Sequence, residues 1–217
     1  MEQSIQKLGF FAGIAAFCST VGFCIVQAMQ LMGILTFPLD QVLIYSFSLA
    51  IVIPFLLEML AFHHLTTGDK KFWSHAALIA AMFYAAFVMV NYVVQLATVL
   101  PAMIWGRGQE IENLAQTPHS VFWDLDALGY LWMGLSTLAA VPALAKTGFQ
   151  KWVRISFIAH SCTTPLIAFI YFYPVFSTRL LLLGSLWGVT APLSMLAMGI
   201  LIKRMNRPKK IENAWSN

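Results

Sequence analysis

The chain has 217 residues, of which 59% are hydrophobic and 10% are charged, and its formal net charge is +4. Soluble domains carry about 25% charged residues, so this composition excludes a water-facing globular surface and favours a protein embedded in a lipid bilayer. A positive charge also occurs in nucleic-acid-binding proteins, but basic residues of membrane proteins collect on the cytoplasmic side. We therefore expect the bilayer as a partner, and no nucleic acid.

Six apolar segments are each long enough to cross a bilayer as a helix. A helix rises about 1.5 Å per residue, so about 20 apolar residues span a hydrocarbon core of about 30 Å. The segments are 8–35, 41–63, 72–105, 122–145, 152–176 and 179–205. The first contains no charged residue and is much longer than the apolar region of a signal peptide, so we interpret it as a retained span.

The sequence thus predicts an all-α fold. Residues 1–205 form a single bundle of six transmembrane helices, and residues 206–217 form a basic, polar tail in the cytoplasm. The loop after the third helix contains Glu-Ile-Glu-Asn-Leu at 110–114, which we predict to be a short surface helix.

The positions of the basic residues indicate an orientation. If both termini are cytoplasmic, all of the 13 Lys and Arg residues except Arg107 and Arg179 lie on the inner side. The reverse orientation breaks the positive-inside rule at every loop. We predict a multi-pass membrane protein with both ends inside.

The helix directions place one set of polar residues near the outer face. Two pairs come from the first and third helices, and the start of the fourth helix adds two carboxylates and two aromatic rings. The set is Gln27, Gln30, Asn91, Gln95, Trp123, Asp124, Asp126 and Tyr130. Asn91 and Gln95 share one helix face at i and i+4.

This set predicts a pocket that is open to the outside and binds a polar or cationic small molecule. Asp124 and Asp126 would hold charge, the amides would donate hydrogen bonds, and Trp123 and Tyr130 would form walls. Two alternatives stay open. Acidic residues in a first turn also stabilise the positive end of the helix dipole, and Asn and Gln side chains also join membrane helices by hydrogen bonds.

A second set lies toward the inner face. Glu58 and His160 are buried ionisable residues that we place at similar depths, where they would form a hydrogen-bonded ion pair if their helices touch. Such a pair would serve proton-coupled transport or a membrane enzyme that acts on lipid. A static structural pair, or a Glu58 side chain that reaches the interface, is the alternative. The histidines near the inner loop match no ligand motif, so we predict no metal and no cofactor.

The segment from Phe122 to Leu138, Phe-Trp-Asp-Leu-Asp-Ala-Leu-Gly-Tyr-Leu-Trp-Met-Gly-Leu-Ser-Thr-Leu, resembles small bacterial inner-membrane proteins of an uncharacterised six-helix family. The resemblance implies a location in the bacterial inner membrane and no particular activity. In architecture the chain is also similar to the substrate-binding subunits of vitamin uptake transporters.

Three functional hypotheses follow from these features. The first is binding or transport of a small molecule through the outer polar set. The second is an enzyme acting on lipid through Glu58 and His160, although no short catalytic motif supports it. The third is a structural or assembly subunit, either in a homo-oligomer or in a membrane complex.

Overall fold

The fold is a bundle of long helices, described for residues 2–205 by a computed structural model. The predicted cytoplasmic tail at 206–217 lies outside the described residues. The helices are α1 (Glu2–Leu31), α2 (Leu39–Leu65), α3 (Lys70–Ile104), α4 (Val121–Ala140), α5 (Gly148–Phe172) and α6 (Thr178–Arg204). No strand occurs in the described part of the chain, so the all-α prediction is confirmed there.

Five of these helices, α1, α2, α3, α5 and α6, are long and apolar enough to cross a membrane. This confirms a multi-pass membrane protein. Helix α4 has 20 residues, and it carries Asp124 and Asp126 near its start. Helix α4 is not among the five helices that meet this condition of length and hydropathy.

Two of the helices are interrupted at the same end of the bundle. Helix α3 contains one π-helical stretch, Gln95–Val99, before it ends. Helix α6 is broken at Gly184, which caps the short segment Thr178–Leu183. The loop between α3 and α4 contains 3₁₀ turns over Gly108–Leu114 with a kink at Ile111, so the segment predicted as one short helix is helical but interrupted.

Each helix packs against the next one in the chain, and α6 packs back against α1, which closes a ring. Neighbouring helices are therefore antiparallel. The centre of the ring is filled by large side chains that are almost fully buried, among them Phe55, Tyr84, Met133 and Met195. The directions of the helices alone do not determine which helices are neighbours in this ring.

The two ends of the bundle differ in their loops. We call the end that carries loops 32–38, 105–120 and 173–177 the long-loop end, and the opposite end the basic end. Within the described chain, the Lys and Arg residues at the long-loop end are Arg107 and Arg179, and the others lie at or near the basic end.

Candidate functional site

Asp126 is the centre of a hydrogen-bond network near the long-loop end. Its side chain is 1% exposed. The Asn91 side-chain amide donates to Oδ1 at 3.3 Å, and the Tyr171 hydroxyl donates to Oδ2 at 2.6 Å. The three residues belong to α3, α4 and α5, which are successive helices of the ring. We call Asn91, Asp126 and Tyr171 the Asp126 network.

The loop between α3 and α4 is fastened over this network by side chains of α3. Gln116 accepts a hydrogen bond from the Asn91 side-chain amide at 2.9 Å, and its backbone N–H donates to Gln95 Oε1 at 3.0 Å. The Gln95 amide also donates to the Leu114 carbonyl at 2.8 Å. Gln95 begins the π-helical stretch of α3, a helix irregularity that is frequent at functional sites.

Aromatic side chains surround the carboxylate on its other sides. The hydroxyl oxygens of Tyr92 and Tyr130 lie 3.4 Å apart. The Trp123 indole N–H donates to the Tyr171 carbonyl at 3.0 Å, and the two rings lie 4.4 Å apart. The packing of Trp123 fixes Tyr171 in the position from which its hydroxyl reaches Asp126.

A pocket of about 460 Å³ lies beside this network, between α1, α5 and α6. Tyr130 of α4 also contributes to its wall, and the break of α6 at Gly184 lies in its lining. The lining residues are Phe23, Cys24, Gln27, Ala28, Leu31, Tyr130, Ile167, Ile170, Tyr171, Leu181, Leu182, Gly184, Ser185, Trp187, Gly188 and Val189. None of them is charged, and most are apolar.

Tyr171 connects the pocket to the buried carboxylate. Its side chain belongs to the pocket lining, while the hydroxyl hydrogen is donated to Asp126. Because the hydroxyl hydrogen of Tyr171 is used in the bond to Asp126, the Tyr171 hydroxyl oxygen can act only as an acceptor toward other groups. The pocket thus combines apolar walls with a small number of oriented polar groups.

The structure brings together part of the predicted outer set. Asn91, Gln95 and Asp126 are fully or almost fully buried and bonded to one another or to the loop, so they lie behind the pocket wall. Tyr130 and Gln27 line the pocket itself.

Three other members of that set occupy different positions. Gln30 accepts from the Gln27 amide at 2.8 Å and donates to Asp40 at 2.8 Å, which joins α1 to α2. Trp123 lies behind Tyr171 and does not line the pocket. The prediction that Asp124 shares the site with Asp126 is wrong, because Asp124 is exposed in the first turn of α4.

The predicted pair of Glu58 and His160 does not form. Glu58 lies against Gly13 and Gly199, where α1, α2 and α6 meet. His160 instead lies 3.5 Å from the Thr190 hydroxyl and beside the Trp187 ring. Helix α5 begins earlier than predicted, so His160 lies more than three turns into it, whereas Glu58 lies two turns from the end of α2.

Glu58 is nevertheless an unusual buried acid. It is 1% exposed, and its Oε1 has no hydrogen-bond partner within residues 2–205. Helices α1 and α6 approach so closely here that a Cβ added to Gly13 would lie 2.7 Å from the Gly199 Cα. Glu58 therefore lies in tight helix packing, and it does not line the pocket between α1, α5 and α6.

The histidines of the basic end form local contacts. His63 Nδ1 lies 3.0 Å from the Ser74 hydroxyl, and the rings of His63 and His75 are 5.1 Å apart. Within residues 2–205 no group of three or more His, Cys, Asp or Glu side chains is arranged to hold a metal ion.

Sequence reasoning missed three residues of the site region. Tyr171 lies in the last turn of α5, at the depth of Asp126, and the helix directions would have identified it. Asp40 follows Pro38 at the start of α2, where an acid is easily read as a helix-end residue. Gln116 carries no such signal, because its role depends on the path of an irregular loop.

Comparison of the chain with protein-family models, curated proteins and solved structures finds no match. The resemblance to an uncharacterised inner-membrane family therefore stays a prediction. The pocket and the Asp126 network are the candidate functional features of the described residues.

Proposed function

We propose that this protein crosses the membrane six times with both termini inside, and that it binds an amphipathic small molecule in the pocket between α1, α5 and α6. The observation that carries the binding proposal is the position of Tyr171, which belongs both to the pocket lining and to the Asp126 network. The uncharged tail of the molecule would lie among aliphatic side chains, and its polar group would contact Tyr130 and Tyr171.

The size and lining of the pocket support this class of ligand. Small-molecule sites typically have volumes of about 300–1,000 Å³, apolar walls and a few polar groups that fix orientation. The volume of about 460 Å³ falls within that range. Ile167, Ile170 and Leu181 supply apolar walls, and Gln27, Tyr130 and Tyr171 are polar residues of the lining.

The sequence favours a polar or cationic small molecule, and this proposal departs from the polar alternative. A polar molecule without an apolar part would need several hydrogen-bonding groups exposed on the pocket wall. Asp126, Asn91 and Gln95 are instead hydrogen-bonded to other groups of the protein. Their hydrogen bonds hold the wall in place, and the open surface of the pocket is mostly apolar. An amphipathic molecule matches that surface.

The proposed topology rests on charge and on packing. The Lys and Arg residues of the described chain lie at the basic end, apart from Arg107 and Arg179, so the positive-inside rule makes that end cytoplasmic. Helix α4 is the sixth span in this proposal. It has 20 residues, which is the length that a crossing requires, and it packs between α3 and α5. The pocket then opens near the outer face.

Pocket occupancy is testable with two matched variants on α1. Ala28 lines the pocket, whereas Ala15 is exposed on another face of the same helix. In Ala28→Phe the added ring takes up pocket volume, and in Ala15→Phe the same ring faces lipid.

Purified protein is screened against neutral, cationic and anionic amphiphiles by thermal shift, and bound compounds are verified by native mass spectrometry. The proposal predicts at least one compound that stabilises the unsubstituted protein and Ala15→Phe but not Ala28→Phe. If no compound distinguishes the two variants, the pocket is not a binding site.

A further inference from the structure

We infer that the ligand of this pocket is an organic cation, an ammonium compound whose charged group contacts the aromatic end of the pocket. The inference rests on the proposed function, because it names the chemical class that the same pocket selects. It derives from three features: the arrangement of the aromatic rings, the charge of the surrounding residues, and the neutral hydrogen-bond donors that surround Asp126.

Aromatic rings from four different helices line the pocket: Phe23, Tyr130, Tyr171 and Trp187. The Trp187 ring is nearly perpendicular to Tyr130 at 80° and 5.0 Å, and to Phe23 at 87° and 5.8 Å. Rings at right angles form walls that face different directions. Ring faces that are turned in different directions also occur in the aromatic cages that bind quaternary ammonium groups, because the face of each ring attracts a cation.

The charges around the pocket favour the same ligand. No Lys, Arg or His lines the pocket, so nothing in the wall repels a cation and nothing neutralises an anion. One acidic residue, Asp126, is linked to the pocket wall by a hydrogen bond. Its Oδ2 accepts this bond from the Tyr171 hydroxyl at 2.6 Å. A cation against Tyr171 is therefore one side chain away from a carboxyl group.

Both oxygens of Asp126 act as acceptors. Asn91 donates to Oδ1 and Tyr171 donates to Oδ2. Both donors are neutral, so within the described residues this buried carboxyl group has hydrogen-bond donors but no cationic partner. Ionisable groups inside membrane proteins are usually paired. A cation in the pocket supplies such a partner.

The test uses benzyltrimethylammonium, a water-soluble ammonium compound, and neopentylbenzene, in which carbon replaces the charged nitrogen. Binding of each to the full chain in zwitterionic nanodiscs is measured by titration calorimetry. Because the two probes have nearly the same shape, a difference in affinity reports the charge. We expect the cation to bind at least about tenfold more tightly, which corresponds to the strength of a desolvated cation–π contact.

Matched variants locate the effect. Asp126→Asn removes the buried charge, and Asp124→Asn removes the same charge from an exposed position two residues away on α4. We expect about tenfold weaker binding of the cation to the first variant and unchanged binding to the second. Trp187→Phe preserves a ring and a packed wall, and it should weaken binding by a smaller factor.

Several results would overturn the inference. Equal affinity for the two probes would show that charge is not recognised. Equal losses in the Asp126 and Asp124 variants would show attraction to surface charge, and undiminished binding to Ala28→Phe would place the cation outside the pocket. If only neutral compounds bind, and Ala28→Phe abolishes their binding, the proposed function survives without this inference. If no compound depends on Ala28, the proposed function fails as well.

Discussion

The hydrogen bond between Tyr171 and Asp126 has a stability effect that can be predicted from the structure. The change is Tyr171→Phe, which removes the hydroxyl and leaves the ring packed on Trp123. The bond length of 2.6 Å is in the short range of charge-assisted hydrogen bonds. Such bonds contribute about 1.5–3 kcal/mol in soluble proteins, and side-chain bonds inside membrane proteins contribute up to about 1.7 kcal/mol. We therefore expect a loss of about 1.5 kcal/mol in the free energy of unfolding.

The assay is reversible unfolding in mixed detergent micelles, followed by circular dichroism. Tyr173→Phe is the matched control, because Tyr173 is 43% exposed and its hydroxyl has no hydrogen bond within the described residues. It should change stability by less than about 0.5 kcal/mol. A double-mutant cycle with Asp126→Ala isolates the pairwise contribution. A coupling free energy indistinguishable from zero would refute the proposed role of Tyr171.

Three further predictions concern other parts of the molecule. Gly13→Ala should lower the free energy of unfolding by about 1–3 kcal/mol, the usual cost of overpacking, because its new Cβ would clash with the Gly199 backbone. Gln116→Ala should speed backbone hydrogen exchange within loop 105–120, since it removes the bond from Asn91 at 2.9 Å. In intact cells, an impermeant maleimide should label a cysteine at Ser120 but not one at Lys146, because the two loops lie on opposite sides in the proposed topology.

Each of these has a control or an opposing result. Gly108→Ala should be nearly neutral, since the nearest atom to its new Cβ is 3.7 Å away. Equal losses at Gly13 and Gly108 would contradict the packing argument. Gln109→Ala, in the same loop, should leave exchange unchanged. Labelling at Lys146 and not at Ser120 would reverse the orientation, and labelling at both would contradict the span α4.

The helix positions were predictable because the thickness of a bilayer dictates their length. The second segment, predicted at 41–63, is observed as Leu39–Leu65. Charged residues and prolines mark where such helices end, so the errors are a few residues. An error of a few residues changes the depth in the membrane at which a side chain is placed. The predicted start at 152 placed His160 too near the basic end, because α5 begins at Gly148.

The site was predictable only in part. Asn91 and Asp126 meet because α3 and α4 are antiparallel neighbours joined by one loop, and proximity in the chain anticipates that contact. Two residues along a helix are rotated by about 200°, so Asp124 and Asp126 face different surroundings, and the sequence does not indicate which one is buried. Burial depends on the ring order, in which α4 packs between α3 and α5.

The pocket itself could not be predicted from the sequence. It lies where the first part of α6, broken at Gly184, meets α1 and α5, and the contact of α1 with α6 joins opposite ends of the chain. The hydrophobic pattern of α6 is the same for a continuous helix and for an interrupted one. The path of loop 105–120 could not be predicted from the sequence either, because it depends on hydrogen bonds to side-chain amides of α3.

The most direct test of the account uses Cys24, which lines the pocket and whose Sγ lies 3.6 Å from the Gly188 carbonyl. Cys18 and Cys162 are exposed, and both are replaced by serine so that Cys24 is the single thiol. The rate of Cys24 alkylation by N-ethylmaleimide is measured with and without the compound that stabilises the protein most in the thermal-shift screen. A protein retaining only Cys162 serves as the control. We expect the compound to slow the reaction at Cys24 and to leave the reaction at Cys162 unaffected. An unchanged rate at Cys24 under saturating compound would contradict binding in this pocket.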